Sequence, residues 1–595
     1  MNIVTLLDMA AAGNPDRIAV GRLRSTAADA APLSYPELLD RARAGAGALR
    51  ERGATELVYL GVSGNAFAQA LFAAAWAGVP LVPLNYRLSR DQLAGLLSKH
   101  QGALVVSDLD PPASGAVVTT REWDALCARP APDVAPWEDD QDATAILLYT
   151  SGTTSAPKAA VLRHKHLTSY LLGSVEFGAA GEADTMLVSV PPYHIAGVSN
   201  LLSNIYAGRR IVYLESFTPE AWLASVRQER VTHALLVPTM LARLTDHLTT
   251  PDTPGNPTDP PISSINHINP TRPADTAVPT LTHLAYGGAT MPAPVLERAT
   301  RLFPHVDFVN AYGLTETSST IAVLGPDDHR AALTGDPVAK ARLGSVGRLL
   351  PGIEAQVRAA DGTPMPVGGI GDVHVRGDQV SGEYRGTASG VDADGWLATR
   401  DRGWIDADGY LFIEGRADDT IIRGGENLAP AEIEDVLLDH PAVAEAAVVG
   451  IPDEHWGQDI AAVIVARPGH PAPAADELKT WVRSRLRSAK TPALIVFRDS
   501  LPHTPTGKLL RRQLASELVA TKIKLACGFI YRFPSVKTHD NSERSPEVAL
   551  CNCYWTDSGD HGNLELWPSR EQSRGRNCSI SNLGLSATGR PSVTA

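Results

Sequence analysis

Ten residues, Tyr149-Thr150-Ser151-Gly152-Thr153-Thr154-Ser155-Ala156-Pro157-Lys158, follow the apolar run Ala145-Ile146-Leu147-Leu148 and have the composition of an anion-gripping loop. Consecutive backbone N–H groups from Thr150 to Thr154, the hydroxyls of Thr150, Ser151, Thr153 and Thr154, and close approach at Gly152 suit phosphate oxygens. Lys158 adds a full positive charge. This is not the common nucleotide P-loop, which needs Gly-Lys-Ser/Thr opening a helix; here Pro-Lys runs into the strand-like Ala159-Ala160-Val161-Leu162. Taken alone, such a loop also reads as a solvated turn.

Further stretches carry chemistry in order along the chain. Pro191-Pro192-Tyr193-His194-Ile195-Ala196-Gly197 sets a histidine after an apolar run, where hydrogen bonding alone can account for it. Leu284-Ala285-Tyr286-Gly287-Gly288 runs a strand into paired glycines, ordinarily a tight turn. Val309-Asn310-Ala311-Tyr312-Gly313-Leu314-Thr315-Glu316-Thr317-Ser318 combines a flat aromatic face, an amide, a hydroxyl and a carboxylate suited to a hard cation. Gly395 to Trp404 contains Asp401, and Leu411 to Asp419 contains Arg416 and Asp418. Pro502-His503-Thr504-Pro505-Thr506-Gly507-Lys508 ends the series on a lysine that would otherwise be a solvated charge.

In this register the motifs resemble those of the adenylate-forming (AMP-binding) superfamily, in its acyl- and aryl-CoA synthetase branch. The resemblance runs from near the N-terminus to about Leu518, and the family usually has Gly where Ser155 stands and often at Ala159. It implies that Thr150, Ser151, Gly152, Thr153, Thr154 and Lys158 hold ATP phosphates. It implies that Gly288, Asn310, Tyr312 and Gly313 hold adenine, that Asp401 accepts the ribose hydroxyls and that Arg416 touches ribose or phosphate. Thr315 faces phosphate, Glu316 holds Mg²⁺, and Lys508 bridges the acid and the α-phosphate. Asp418 is the implied hinge, and Gly424, Gly425 and Trp456 line the passage for the pantetheine of coenzyme A; Trp456 reads equally well as domain core.

The acid pocket implied by the resemblance is walled by His194, Ile195, Ala196, Gly287, Ala311 and Ser318. None is charged, so the expected substrate is an apolar carboxylic acid, activated to an acyl-adenylate and passed to coenzyme A. A stand-alone adenylation enzyme serving a carrier protein and a non-catalytic nucleotide binder are the rival readings.

The elements that must position these residues follow from periodicity. Ser34 caps a helix with Pro36 in its first turn and Glu37 three residues on. Strand-like Leu57–Val62 and Val79–Leu84 flank the helical stretch 66–77, a repetition that predicts an α/β fold of mainly parallel sheets covered by helices. Pro430 opens a smaller α+β region with strands near 446–450, 461–465 and 493–497. The expected division is 1–416, 417–518 and 519–595. Thr249 to Pro279 reads as an exposed loop and the last segment, with Cys527, Cys551, Cys553 and Cys578, as a dispensable disordered tail.

The totals bound the rest. A chain of 595 residues needs more than one core. Its formal charge of −13 disfavours nucleic acid or an anionic membrane as partner. No stretch reaches the roughly 18 apolar residues of a membrane span, and the start lacks a secretory pattern, so a cytoplasmic location is expected. Up to residue 520 Cys127 is the single cysteine, and no metal-site spacing accompanies it.

Overall fold

Two helix-covered sheets and a third, smaller one carry the chain. The computed structural model describes all residues except 24–30, 112–114, 131–132, 151–156, 250–277, 388, 417–418, 425, 454–455, 472, 505–508 and 527–595. The first sheet has the spatial order Val117–Val118, Ala103–Ser107, Glu56–Leu60, Leu81–Pro83, Thr144–Thr150 and Lys158–Arg163. Its neighbours are parallel except for the final pair, a hairpin. The second sheet has a parallel half built from Arg210–Tyr213, Thr185–Val188, His233–Leu236, His283–Gly287 and Asp307–Leu314. Strands buried on both faces need helices above and below, and the apolar sequences of these strands answer that need.

The covering helices start where local chemistry dictates. Ser34 caps Tyr35–Glu51, its hydroxyl taking the Glu37 N–H while the Glu37 carboxylate takes the Ser34 N–H. That helix lies close against Asn65–Ala77 and Thr120–Cys127: a Cβ on Gly45 would stand 2.8 Å from Ala73 Cβ and 3.0 Å from Cys127 Sγ. Trp123 and Trp222 are fully buried in the resulting core. Burial also pushes the Cys127 thiol pKa up, so it packs as a small hydrophobe.

A long antiparallel arm extends the second sheet, in the order Ser319–Leu324, Ser345–Leu349, Leu411–Arg416, Leu397–Ile405, Gly371–Arg376 and Glu354–Arg358. The strand–helix repetition near the N-terminus gives no hint of it. Between Arg416 and Ile421 the chain changes sheet: Ile421–Arg423, Glu426–Leu428, Val443–Asp453, Gly457–Ala466 and Leu494–Phe497 form the third one. Ile433, Leu437, Leu478 and Val482 cover one of its faces, and Leu514 and Leu518 the other. The last described helix, Arg511–Ala526, runs through position 518, where the sequence reading ends its second segment. Residues 519–526, expected in the disordered tail, belong to this helix; 250–277 of the expected loop and 527–595 of the tail lie outside the described residues.

At the start of strand Arg210–Tyr213, Arg210 and Glu229 form an ion pair at 2.8 Å with side chains only 10% and 2% exposed. Arg210 also donates to the Glu229 carbonyl at 2.6 Å. Removing one member strands the other charge, so Glu229→Ala should cost about 3 kcal/mol. In chemical denaturation the double change Arg210→Met/Glu229→Leu should recover most of that loss.

Candidate active site

The parallel strands end on one rim, and most sequence-selected residues collect there. Thr185–Val188 leads to Pro191 and His194, His283–Gly287 ends in the glycine pair, and Asp307–Leu314 carries Asn310 and Tyr312. Open α/β sheets bind ligands outside the carboxyl ends of their strands. Register sets Tyr286 beside Asn310 and Gly287 beside Ala311. A Cβ on Gly287 would lie 2.2 Å from the Ala311 carbonyl oxygen, and Gly288 has φ +82°. The Asn310 amide donates to the Ser345 carbonyl at 3.4 Å. A Cβ on Gly313 would sit 1.8 Å from the Ser319 carbonyl oxygen, so only glycine fits the bulge there.

Thr150 and Lys158 face each other across the hairpin Thr144–Thr150/Lys158–Arg163. A segment from the far side of the sequence zips onto its return strand. Val161 N–H donates to the Glu383 carbonyl at 2.9 Å and Arg385 N–H to the Ala159 carbonyl at 2.8 Å. Arg163 meets the Glu383 carboxylate with two bonds, at 3.0 and 2.8 Å. The Ser381 N–H reaches the Glu316 carbonyl at 2.8 Å, tying this segment to the short helix Thr315–Thr317.

Tyr384 is the product of that stitching and was not selected from the sequence. Its hydroxyl donates to Glu316 Oε1, and the Lys158 ammonium lies 5.7 Å from its ring centroid. Burial and then the Glu316 charge push the Tyr384 pKa up, so it stays a donor. Among the described residues the second Glu316 oxygen has no hydrogen-bond partner. A half-buried carboxylate with one oxygen to spare fits Mg²⁺, which is commonly held by one or two carboxylates and by substrate phosphates. The described residues contain no group of three or more metal-binding side chains.

Across the rim Asp401 is buried, with its side chain 6% exposed. One oxygen accepts the Tyr312 hydroxyl at 2.5 Å, and the other pairs with Arg416 Nε at 3.0 Å. Arg416 also donates to the Thr399 carbonyl at 2.9 Å. Burial and then the Asp401 charge push the Tyr312 pKa well up, so its proton stays on the phenol. Asp401 and Arg416, expected as separate ligand contacts, are therefore cross-strand partners that share a site with Tyr312.

His194 precedes the helix Ile195–Ala207, and its Nε2 is buried without a hydrogen-bond partner among the described residues. Burial alone pushes its pKa down to about 4. One turn along, Ser199 Oγ accepts from Ser319 Oγ at 3.0 Å. The neighbouring Ser318 holds φ 56° and is fully buried, its hydroxyl also unpartnered among the described residues. Ile195 and Ala196 are half-buried beside His194.

In the third sheet Gly424 has φ +59°, and a Cβ there would stand 2.8 Å from the Trp456 ring. The indole is 51% exposed and the Arg423 guanidinium sits 5.1 Å from its centroid, so Trp456 is a surface residue rather than core. Ser151, Gly152, Thr153, Thr154, Asp418, Gly425 and Lys508 lie outside the described residues.

Residues 7–385 match the family model described as AMP-binding enzyme, and 432–508 match that of the AMP-binding enzyme C-terminal domain. The chain is 33% identical over 512 residues to a fatty acid–[acyl-carrier-protein] ligase of Streptomyces coeruleorubidus, covering 81% of this chain and 91% of that one. It is 32% identical over 498 residues to a feruloyl-CoA synthase from an Amycolatopsis species, covering 81% and 93%. It superposes on the o-succinylbenzoate CoA synthetase of Bacillus subtilis in complex with its acyl-adenylate intermediate with a TM-score of 0.70 and 28% identity, covering 86% and 97%. The same enzyme has also been solved with ATP and magnesium ion.

The neutral state of His194 is testable directly. In a ¹H–¹⁵N titration its ring should stay uncharged from pH 8 down to 5 and take up a proton near pH 4; a midpoint close to 6.5 would contradict the burial described here.

Proposed function

The chain belongs to the AMP-binding enzyme family, and on that premise we propose that it activates an apolar carboxylic acid with ATP and transfers the acyl group to the thiol of coenzyme A. The observation that carries this reading is the convergence of Lys158, Tyr384 and Glu316 at the mouth of the hairpin. A cation for phosphate oxygens and a carboxylate for Mg²⁺ lie on either side of one tyrosine.

The chemistry needs those charges. A carboxylate is a poor acylating agent because attack on it would have to expel oxide. Joined to AMP, it loses its charge and gains a good leaving group. In the first step a carboxylate oxygen attacks the α-phosphorus of ATP, the bond to the pyrophosphate oxygen breaks, and pyrophosphate leaves. In the second step a thiolate attacks the acyl carbon and AMP leaves with the bonding pair. Both steps ask for positioning and charge neutralisation more than for proton transfer.

Thr150 to Thr154 and Lys158 hold the β- and γ-phosphates, with Thr315 beside them. Glu316 would hold Mg²⁺, which neutralises phosphate charge when bound. Tyr312, Asn310, Gly288 and Gly313 frame the adenine, while Asp401, braced by Arg416, takes the ribose hydroxyls through its remaining lone pairs. His194 is suited to walling the acid because a neutral imidazole places no positive charge where Lys508 is to bind the carboxylate. Lys508 arrives from segment 417–518, with Asp418 as pivot, and Trp456, Gly424 and Gly425 guide the thiol arm. Residues 519–595 take no part.

Among the described residues no helix is long and apolar enough to cross a membrane. Cys127 is a buried free thiol, in keeping with a reducing compartment, and we place the enzyme in the cytoplasm. The Streptomyces relative, named for ligation to an acyl carrier protein, favours one second reading: transfer to carrier-bound pantetheine.

Acid-dependent exchange of pyrophosphate into ATP, run over a panel of aliphatic and aromatic acids, tests the first step. Exchange should depend on the acid, and Lys158→Ala and Glu316→Gln should each lower it about 100-fold. No exchange with any acid would overturn the reading. Thioester formed from free coenzyme A and saturating in it would exclude carrier-only transfer.

A further inference from the structure

Against the hairpin strand Thr144–Thr150 lies a buried polar chain. The Tyr149 hydroxyl meets His100 Nε2 at 2.8 Å, and His100 Nδ1 meets Glu56 Oε2 at 2.5 Å. The other Glu56 oxygen accepts from Arg385 Nη1 at 2.6 Å. The His100 side chain is fully buried and that of Glu56 is 8% exposed. A carboxylate can only accept, so His100 Nδ1 carries a proton and donates it to Glu56, and the Tyr149 hydroxyl can serve His100 Nε2 as either donor or acceptor. Burial works to raise the Glu56 pKa; the His100 bond and the charges of His100 and Arg385 outweigh it and hold the carboxyl below its usual range.

The chain closes into a ring. Arg385 N–H donates to the Ala159 carbonyl, and Ala159 is the hairpin partner of Tyr149. Both strands are thus pinned one residue short of Thr150 and Lys158, which pair with each other at the strand ends. The next residue back, Tyr384, grips Glu316. Buried charges of this kind are seldom worth more than well-packed apolar groups for stability alone. What this one supplies is position: a fixed distance between the two strand ends and a fixed lateral setting relative to Glu316.

We propose that His100 and Glu56 are positioning residues for nucleotide binding, acting through Tyr149 on one strand of the hairpin and through Arg385 on the other. The proposal rests on the assignment of Thr150 and Lys158 to ATP phosphates.

Tyr149→Phe removes one hydroxyl and leaves no cavity, so it is the decisive variant. Calorimetric titration of the full chain with MgATP should show Kd raised about fivefold, the loss of one buried hydrogen bond, with the unfolding midpoint little changed. His100→Ala should weaken MgATP at least as much, and His100→Gln, which keeps a donor and an acceptor, should recover part of the loss. In pyrophosphate exchange Tyr149→Phe should raise the KM for ATP and leave that for the acid unmoved. An unchanged Kd in Tyr149→Phe, with Lys158→Ala weakened, would overturn the proposal alone. An unchanged Kd in Lys158→Ala would overturn the phosphate assignment beneath it. Equal rises in both KM values would mark a general structural effect and overturn the proposal as well.

Discussion

The architecture turns on a seam between two sheets. The hairpin at the edge of the first sheet has a free outer strand, Lys158–Arg163, and the segment around Glu383 fills it with backbone hydrogen bonds and a two-bond Arg163–Glu383 pair. An open strand edge seeks partners, and here the partner comes from the connection between two strands of the antiparallel arm. Because the same segment bonds Glu316 through Ser381 and Tyr384, the seam brings the Lys158 ammonium and the Glu316 carboxylate to one mouth.

Polar groups at the rim divide into two kinds. Asp401 is paid in full, with Tyr312 on one oxygen and Arg416 on the other, so its buried charge is compensated before any ligand arrives. His194 Nε2 and the Ser318 hydroxyl are buried without partners among the described residues. The first kind fixes geometry. The second kind sits at the positions assigned to the acid; Ser318 itself holds φ 56° and its neighbour Ser319 φ 118°, where backbone strain of about a kilocalorie or more per residue is usual and often functional.

Much of this was legible in the sequence because it is local. The Ser34 capping box, the Pro430 helix start and the glycine pair at the end of a parallel strand are each specified within a few residues of themselves. The large α/β domain with a smaller one after it, and the two-step acid–thiol ligase chemistry, followed from the motifs and agree with the relatives. The antiparallel arm was not legible, since its short strands pair across loops that periodicity does not reveal. Tyr384 and the ring against the hairpin were invisible for a stronger reason: Arg385 and Glu56 are 329 residues apart, and their meeting depends on the seam. The exposed Trp456 could not be told from a core tryptophan by type alone.

The central claim is that Lys158 and Glu316 serve one nucleotide because the seam holds them together. A double-mutant cycle on pyrophosphate exchange measures this directly, comparing Lys158→Ala, Glu316→Gln and the pair. The account predicts strong non-additivity, a coupling above about 0.5 kcal/mol. Strictly additive losses would mean that the two side chains act independently and would contradict it.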